Sequence, residues 1–407
     1  MRLQKKEKKM NDDKYPHRID YGIILSVLLL AIISIVSLYS TTVMIQGAPL
    51  SMTLRQILWY GLGTIAVLVI MQFDSEQLWK MTNYLYILGI VALVLTLILY
   101  DRNMAMSTGG KSWIRIGPLG TLQPSEFVKI PFILMLAKTV TKHNSTYQAR
   151  DYSSDFLLMG KLVLYSSLPL ILVFMQNDLG TGLVYIAILV GVVLLSGIKW
   201  QILLPIFLII STIGLTLIVL AVYNRDMLLA TGLFKPYQFA RIDTWLNPHQ
   251  GSTDATYQVM QAFKSIGSGG VFGKGFGVSE VYVPVRESDM IFTTIAENFG
   301  FAGGSILVFI YFVLVYHMIK VVYDTRNEFY AYIATGVIMM IAFHVLENVG
   351  MNIGLLPITG IPLPFVSQGG SSLLGNMMGI GLIMSMRYHH KSYFFSGEGE
   401  DFHPGTS

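Results

Sequence analysis

The sequence predicts an all-α integral membrane protein of about ten transmembrane helices, with a large extracellular loop between the seventh and eighth. Three observations carry this reading. Of the 407 residues, 53% are hydrophobic and only 13% charged, against about 25% charged in an average soluble domain. Ten apolar stretches can be marked, at 21–44, 56–73, 83–100, 126–141, 161–176, 179–196, 200–222, 291–319, 329–349 and 372–387, most of them close to the roughly 20 residues that a helix needs to cross a bilayer. Cysteine is absent, which excludes disulfides and Cys-ligated metal or haem centres.

The first stretch is too long for a signal-peptide core and has no small-residue cleavage site after it, so it counts as a span. Seven of the 28 basic residues precede it (Arg2, Lys5, Lys6, Lys8, Lys9, Lys14 and Arg18). Basic residues beside a span favour the cytoplasmic side, and an even number of spans returns the carboxyl end there. On that topology 17 of the 28 face the cytoplasm, Lys80, Lys138, Lys142, Arg150, Lys161, Lys199, Lys320, Arg326, Arg387 and Lys391 among them. The chain divides into a basic cytoplasmic tail (1–20), a membrane domain (21–387) containing a cap loop (223–290), and a second cytoplasmic tail (388–407). Nucleic acid is not an expected partner. The sequon at Asn144 falls in an inner loop and reads as chance. No internal repeat is visible, which disfavours a transporter.

The cap loop is too long for a simple connection, and its aromatic residues and balanced charges suggest a folded unit. Residues 255–266 read as a short amphipathic helix. Gly267–Gly277 is glycine-rich, but Ser268 stands where a Walker loop requires its first glycine and Gly275 follows Lys274, so the nucleotide motif fails. Two readings stay open: close backbone packing, or a grip on the phosphates of a lipid-linked substrate.

Asp289 then stands at the edge of the eighth span, where a carboxylate can cap a helix. Glu297 lies eight residues on, a rise of about 12 Å in a helix, too far for the two to act as a direct pair. A charge within a span faces a polar network or a watery cavity. At the fourth span Pro124 suits a helix start, and Glu126 with Lys129 at i, i+3 can pair. Asp178 reads as a cap. Residues 348–372 carry too much proline and glycine for a regular helix, so they must be enclosed by protein or face water.

The runs GKSWIRIG (110–117), QPSEFVKI (123–130), QNDLGT (176–181), YQVMQAFKSIGSGGVFGKGFG (257–277), VPVRESDMIFTTIAENFGF (283–301) and GLLPITGIPLPFVSQGGSS (354–372) together resemble the SEDS family (shape, elongation, division and sporulation) of RodA and FtsW, and most of all its elongation branch. Two departures stand out: Asn177 where many members have proline, and Met290 where many have phenylalanine. The resemblance implies a ten-span peptidoglycan glycosyltransferase that polymerises lipid II, the undecaprenyl-diphosphate disaccharide-pentapeptide, on the outer face of the membrane. It also implies a class B penicillin-binding protein as partner, Asp289 as the essential acid, and Trp113, Glu126 and Lys129 around an outward cavity. A lipid II flippase and a division-type polymerase are the alternatives.

The chemistry is compatible with this. Forming a β-1,4 bond from an α-linked diphosphate donor needs a base for the acceptor hydroxyl and positive charge for the departing diphosphate. Asp289 is the candidate base. Lys111, Arg115, Arg241, Lys264, Lys274 and Arg286 are the candidate cations, with a divalent ion (Mg or Mn) as a further candidate. No organic cofactor is expected.

Overall fold

The computed structural model describes residues 18–44, 50–117, 120–230, 236–248 and 254–389. Six basic residues of the amino-terminal tail (Arg2, Lys5, Lys6, Lys8, Lys9 and Lys14), Lys235 and the tail from 390 onward, Lys391 included, lie outside the described residues.

The chain forms α1 (Tyr21–Met44), α2 (Ser51–Ile70), α3 (Ser75–Leu99), a short α4 (Arg102–Thr108), a two-residue hairpin of β1 (Ile114–Arg115) and β2 (Thr121–Leu122), α5 (Pro124–Thr146), α6 (Tyr152–Met175), α7 (Leu179–Leu195) and α8 (Trp200–Tyr223). The cap follows as α9 (Arg225–Ala230), α10 (Pro236–Leu246) and α11 (Asp254–Gly269), and then come α12 (Ile291–Thr325), α13 (Glu328–Asn352) and α14 (Gly370–His389). Each predicted span lies on a helix, and α11 contains the predicted amphipathic segment. Local chemistry sets several starts. Asp74 and Gln77 form a reciprocal capping box on α3, and Asp151 and Asn327 cap α6 and α13, each satisfying an otherwise orphaned N–H.

Among the described residues seven helices are long and apolar enough to cross a membrane, and the chain is a multi-pass membrane protein. The three long helices that fall short, α5, α7 and α14, are largely enclosed by the others. Buried residues run along α5 from Pro124 to His143 and along α14 from Ser371 to Arg387. A helix surrounded by protein needs no lipid-facing apolar stripe, which suits the buried polar side chains of α5 (Glu126, Lys129 and His143) and the glycines of α14, whereas α7 is apolar and falls short only by its length of 17 residues. Among the neighbouring pairs are α14 with α2, α3 with α5, α1 with α12, and α13 with α7. Helix α12 breaks at Gly300, whose φ of 65° and ψ of −162° are not helical.

Candidate active site

The turn Glu287–Asp289 sits where the cap meets α12, and three successive carbonyls tie it down. The Gln368 amide donates to Glu287 O at 2.9 Å. The Ser367 hydroxyl donates to Ser288 O at 2.6 Å. Both Asn348 and Asn352 donate to Asp289 O, at 2.8 and 3.2 Å. Asp289 is not the N-cap: α12 begins at Ile291 after Met290, which makes no side-chain cap bond. The carboxylate is partly buried instead. Burial pushes it up to about 7, opposed by a hydrogen bond from Ser288, reinforced by the charge of Glu287 and opposed again by Arg241. Gly360 has φ +79°, and a Cβ there would stand 3.3 Å from Asp289 Oδ2, so glycine keeps the space beside the acid open. Arg241 also donates to Thr359 O at 3.4 Å.

The proline-rich segment that holds this turn is itself held. Helix α13 runs to Asn352, three residues beyond the predicted span, and regular structure resumes at Gly370, so the first and last residues of the 348–372 segment are helical and only 353–369 is irregular. Between them, four successive carbonyls each accept one side-chain donor: Pro364 from Tyr311, Phe365 from Tyr60, Val366 from Ser34 at 2.8 Å, and Ser367 from Gln56 at 3.2 Å. The donors come from α12, α2 and α1. Irregular backbone within a bundle needs such partners because water is not available to it. Four polar side chains that look incidental in the sequence thus fix the segment beneath the acid.

Glu297 has different surroundings. It is fully buried, accepts from Arg286, from Ser265 at 2.9 Å and from the Glu280 amide at 3.0 Å, and lies 3.5 Å from Lys274. Lys274 also pairs with Glu280 at 2.6 Å. Two cations meet two carboxylates, so Arg286 and Lys274, expected at a diphosphate, are engaged in fastening the cap to α12. The glycine-rich turn completes that joint. The Lys274 and Gly275 amides donate to Glu297 O and Asn298 O at 2.9 and 3.1 Å, and Phe301 and Ala302 donate to Gly270 O and Val271 O at 2.9 and 3.0 Å. A side chain at Gly273 or Gly300 would run into the backbone of the other strand. Close packing therefore accounts for these glycines.

Glu126 and Lys129 are buried and paired at 2.8 Å, and Lys129 Nζ lies 3.3 Å from His344 Nε2. His344 Nδ1 contacts Met340 O at 2.6 Å. A carbonyl only accepts, so Nδ1 carries the hydrogen and Nε2 receives one from Lys129. Nothing in the sequence singled out this histidine. Asp178 caps α7 through Thr181 and also accepts from Gln123 at 2.6 Å, as its expected role requires. Lys111 is exposed, its ammonium over the Tyr100 ring, and Arg115 pairs with Asp101 at 2.5 Å. Trp113 is partly buried, its carbonyl accepting from the Asp101 amide at 2.7 Å. Lys264 is exposed on α11. Asn177 has φ 60°, which proline cannot adopt, so that departure from the family pattern comes with its own backbone turn.

Among the described residues no group of three or more His, Asp or Glu side chains could hold a metal ion. Fold and site together define a polytopic α-helical membrane protein with a partly buried acid at one end of its bundle. Residues 20–392 match the FtsW/RodA/SpoVE family of cell cycle proteins, and the chain belongs to that family. It is 30% identical to stage V sporulation protein E of Bacillus subtilis (strain 168), over 82% of this chain and 86% of that protein. It is 29% identical to the peptidoglycan glycosyltransferase RodA of Treponema pallidum (strain Nichols), over 90% and 97%. It is also 29% identical to the peptidoglycan glycosyltransferase MrdB of Escherichia coli (strain K12), over 92% and 94%. The fold matches the crystal structure of Thermus thermophilus RodA with a TM-score of 0.64, 24% identity and coverage of 91% and 97%. A chain from a structure of a peptidoglycan synthase complex that coordinates polymerization and crosslinking matches with 0.73, 24%, 92% and 98%.

Proposed function

We propose that Asp289 is the general base of a glycosyltransferase that joins the disaccharides of lipid II. The chain is a peptidoglycan glycosyltransferase by its kinship with RodA, MrdB and FtsW proteins of that activity. The observation that carries the assignment of Asp289 is its environment: a partly buried carboxylate with an affinity for protons near neutrality, where a base best combines availability with strength. Asp289 takes the proton from the acceptor 4-hydroxyl as that oxygen attacks the donor's anomeric carbon. The bond to diphosphate breaks, and the leaving group keeps its electrons and its lipid tail.

Charge for the departing diphosphate comes first from Arg241, the cation acting on Asp289. Lys111, Arg115 and Lys264 are the remaining basic candidates. Trp113 stands beside the outer hairpin, the buried Glu126–Lys129 pair ties α5 to α13 through His344, and Arg286, Lys274 and Glu297 fasten the cap to α12. A divalent cation would be held by the Glu287 carboxylate together with substrate oxygens, since magnesium is commonly bound by one or two carboxylates and substrate phosphates. Such an ion would stabilise charge on the diphosphate. The ten helices span the membrane with both ends of the chain in the cytoplasm, so that the site faces outward. A class B penicillin-binding protein cross-links the product.

Purified protein with its partner, incubated with labelled lipid II, tests this reading. Glycan that disappears in Asp289→Asn and falls on chelation is the expected result. Lipid movement across liposomes without polymer would instead support a flippase.

A further inference from the structure

We infer that Asn348 and Asn352 are positioning residues for Asp289: two side-chain amides one turn apart on α13 grip its backbone carbonyl and set where the carboxylate stands. The inference rests on Asp289 being the base. Both asparagines are fully buried, and an amide removed from water at a helix end is costly unless it is bonded. A packing role would be met by leucine without that cost. Their bonds are specific. Asn348 Nδ2 donates to Asp289 O and to Ile361 O, each at 2.8 Å, so one nitrogen fixes the spacing between the acid's turn and the irregular segment that carries Gly360. Asn352 Nδ2 donates to the same Asp289 carbonyl at 3.2 Å and to Asn348 O at 2.8 Å. Its Oδ1 is buried without a hydrogen-bond partner, which indicates that the donor determines how this side chain is placed. His344 lies four residues before Asn348, on the same face of the helix, and its bond with Lys129 fixes the rotation of α13 one turn earlier.

The test compares Asn348→Leu, Asn352→Leu and Asp289→Asn with the unaltered chain, each in complex with its partner. Lipid II polymerisation is followed from pH 5 to pH 9, and thermal unfolding reports the folded fraction. Asn348→Leu keeps roughly the size of the side chain and removes the donor without adding a charge beside Asp289. It should lower kcat at least about tenfold, since displacing a reacting group by about 1 Å can cost 10²-fold, while KM for lipid II changes less than about twofold. The acidic limb of the pH profile should move below its value near 7 as the released turn opens to water. Asn352→Leu should shift both in the same direction by less, and it serves alone if Asn348→Leu does not fold. Loss of rate in proportion to folded protein, with the limb unmoved, would overturn the positioning role. Persistent polymerisation by Asp289→Asn would instead overturn the base assignment on which it rests.

Discussion

Asp289 and Glu297 are carboxylates eight residues apart on either side of the start of α12, and their surroundings are opposite. Glu297 is fully buried and saturated, with Arg286, Ser265, the Glu280 amide and Lys274 around it. Asp289 is only partly buried, with Ser288 as its side-chain donor and Arg241 as the cation acting on it. A carboxylate whose lone pairs are all taken cannot accept a proton from substrate without losing its partners, so it serves as an anchor. One that is poorly solvated and lightly partnered holds a proton near neutrality and can exchange it. The backbone reverses this order: the carbonyls of the Asp289 turn are secured one after another. A rigid main chain carries an under-satisfied side chain, the combination that pre-organised chemistry requires.

The largest expected effect separates the two acids by kind of damage. Asp289→Asn should cost roughly 10²–10⁴-fold in polymerisation rate, the usual worth of a general base, with thermal stability kept. Glu297→Gln should do the reverse. It leaves Arg286 and Lys274 without their shared anion, and breaking one partner of a buried pair costs about 3–5 kcal/mol, so the unfolding midpoint falls while the folded fraction retains turnover. Equal loss of stability in both variants would erase the distinction.

Tyr311→Phe probes the support beneath the turn. It removes the donor to Pro364 O, and a buried carbonyl left unpaired costs about 1–3 kcal/mol, measurable by thermal or denaturant unfolding in detergent. Arg241→Gln probes the charge beside Asp289. Arg241 favours the ionised carboxylate, so removing it raises the proton affinity further and moves the acidic limb of the rate profile above pH 7. A limb that stays in place would show that Arg241 does not act on the acid.

The smallest effect is on stability. The carboxyl of Asp289 binds its proton more tightly in the folded chain than in the unfolded one, so its stabilising contribution is present at low pH and is lost as pH rises through about 7. The unaltered chain should therefore lose more stability between about pH 4 and pH 7 than Asp289→Asn does.

Much of this contrast was legible in the sequence, and the unread part has one physical cause. Apolar runs located every long helix, and the scarce charges at helix ends marked Asp289, Glu126, Lys129 and Glu297. The failed Walker pattern left packing as one reading of the glycine-rich turn, and the break at Gly300 shows what that turn packs on. The hidden part lies in neutral polar residues within helices. Ser34, Gln56, Tyr60, Tyr311, Asn348 and Asn352 fit any helical position by propensity, and those holding the irregular segment bond to carbonyls 13 to 332 residues away. His344 was equally silent, since its partner Lys129 is 215 residues distant. Arg286 and Lys274 were read as free cations because a sequence shows charge but not the acid that balances it.

The most direct test of the central claim is the pH dependence of lipid II polymerisation by the complex with its partner. A rate that rises through about pH 7 in the unaltered chain, and is near zero at every pH in a folded Asp289→Asn variant, is the result predicted here. Polymerisation by that variant at a comparable rate with the same rise would contradict it.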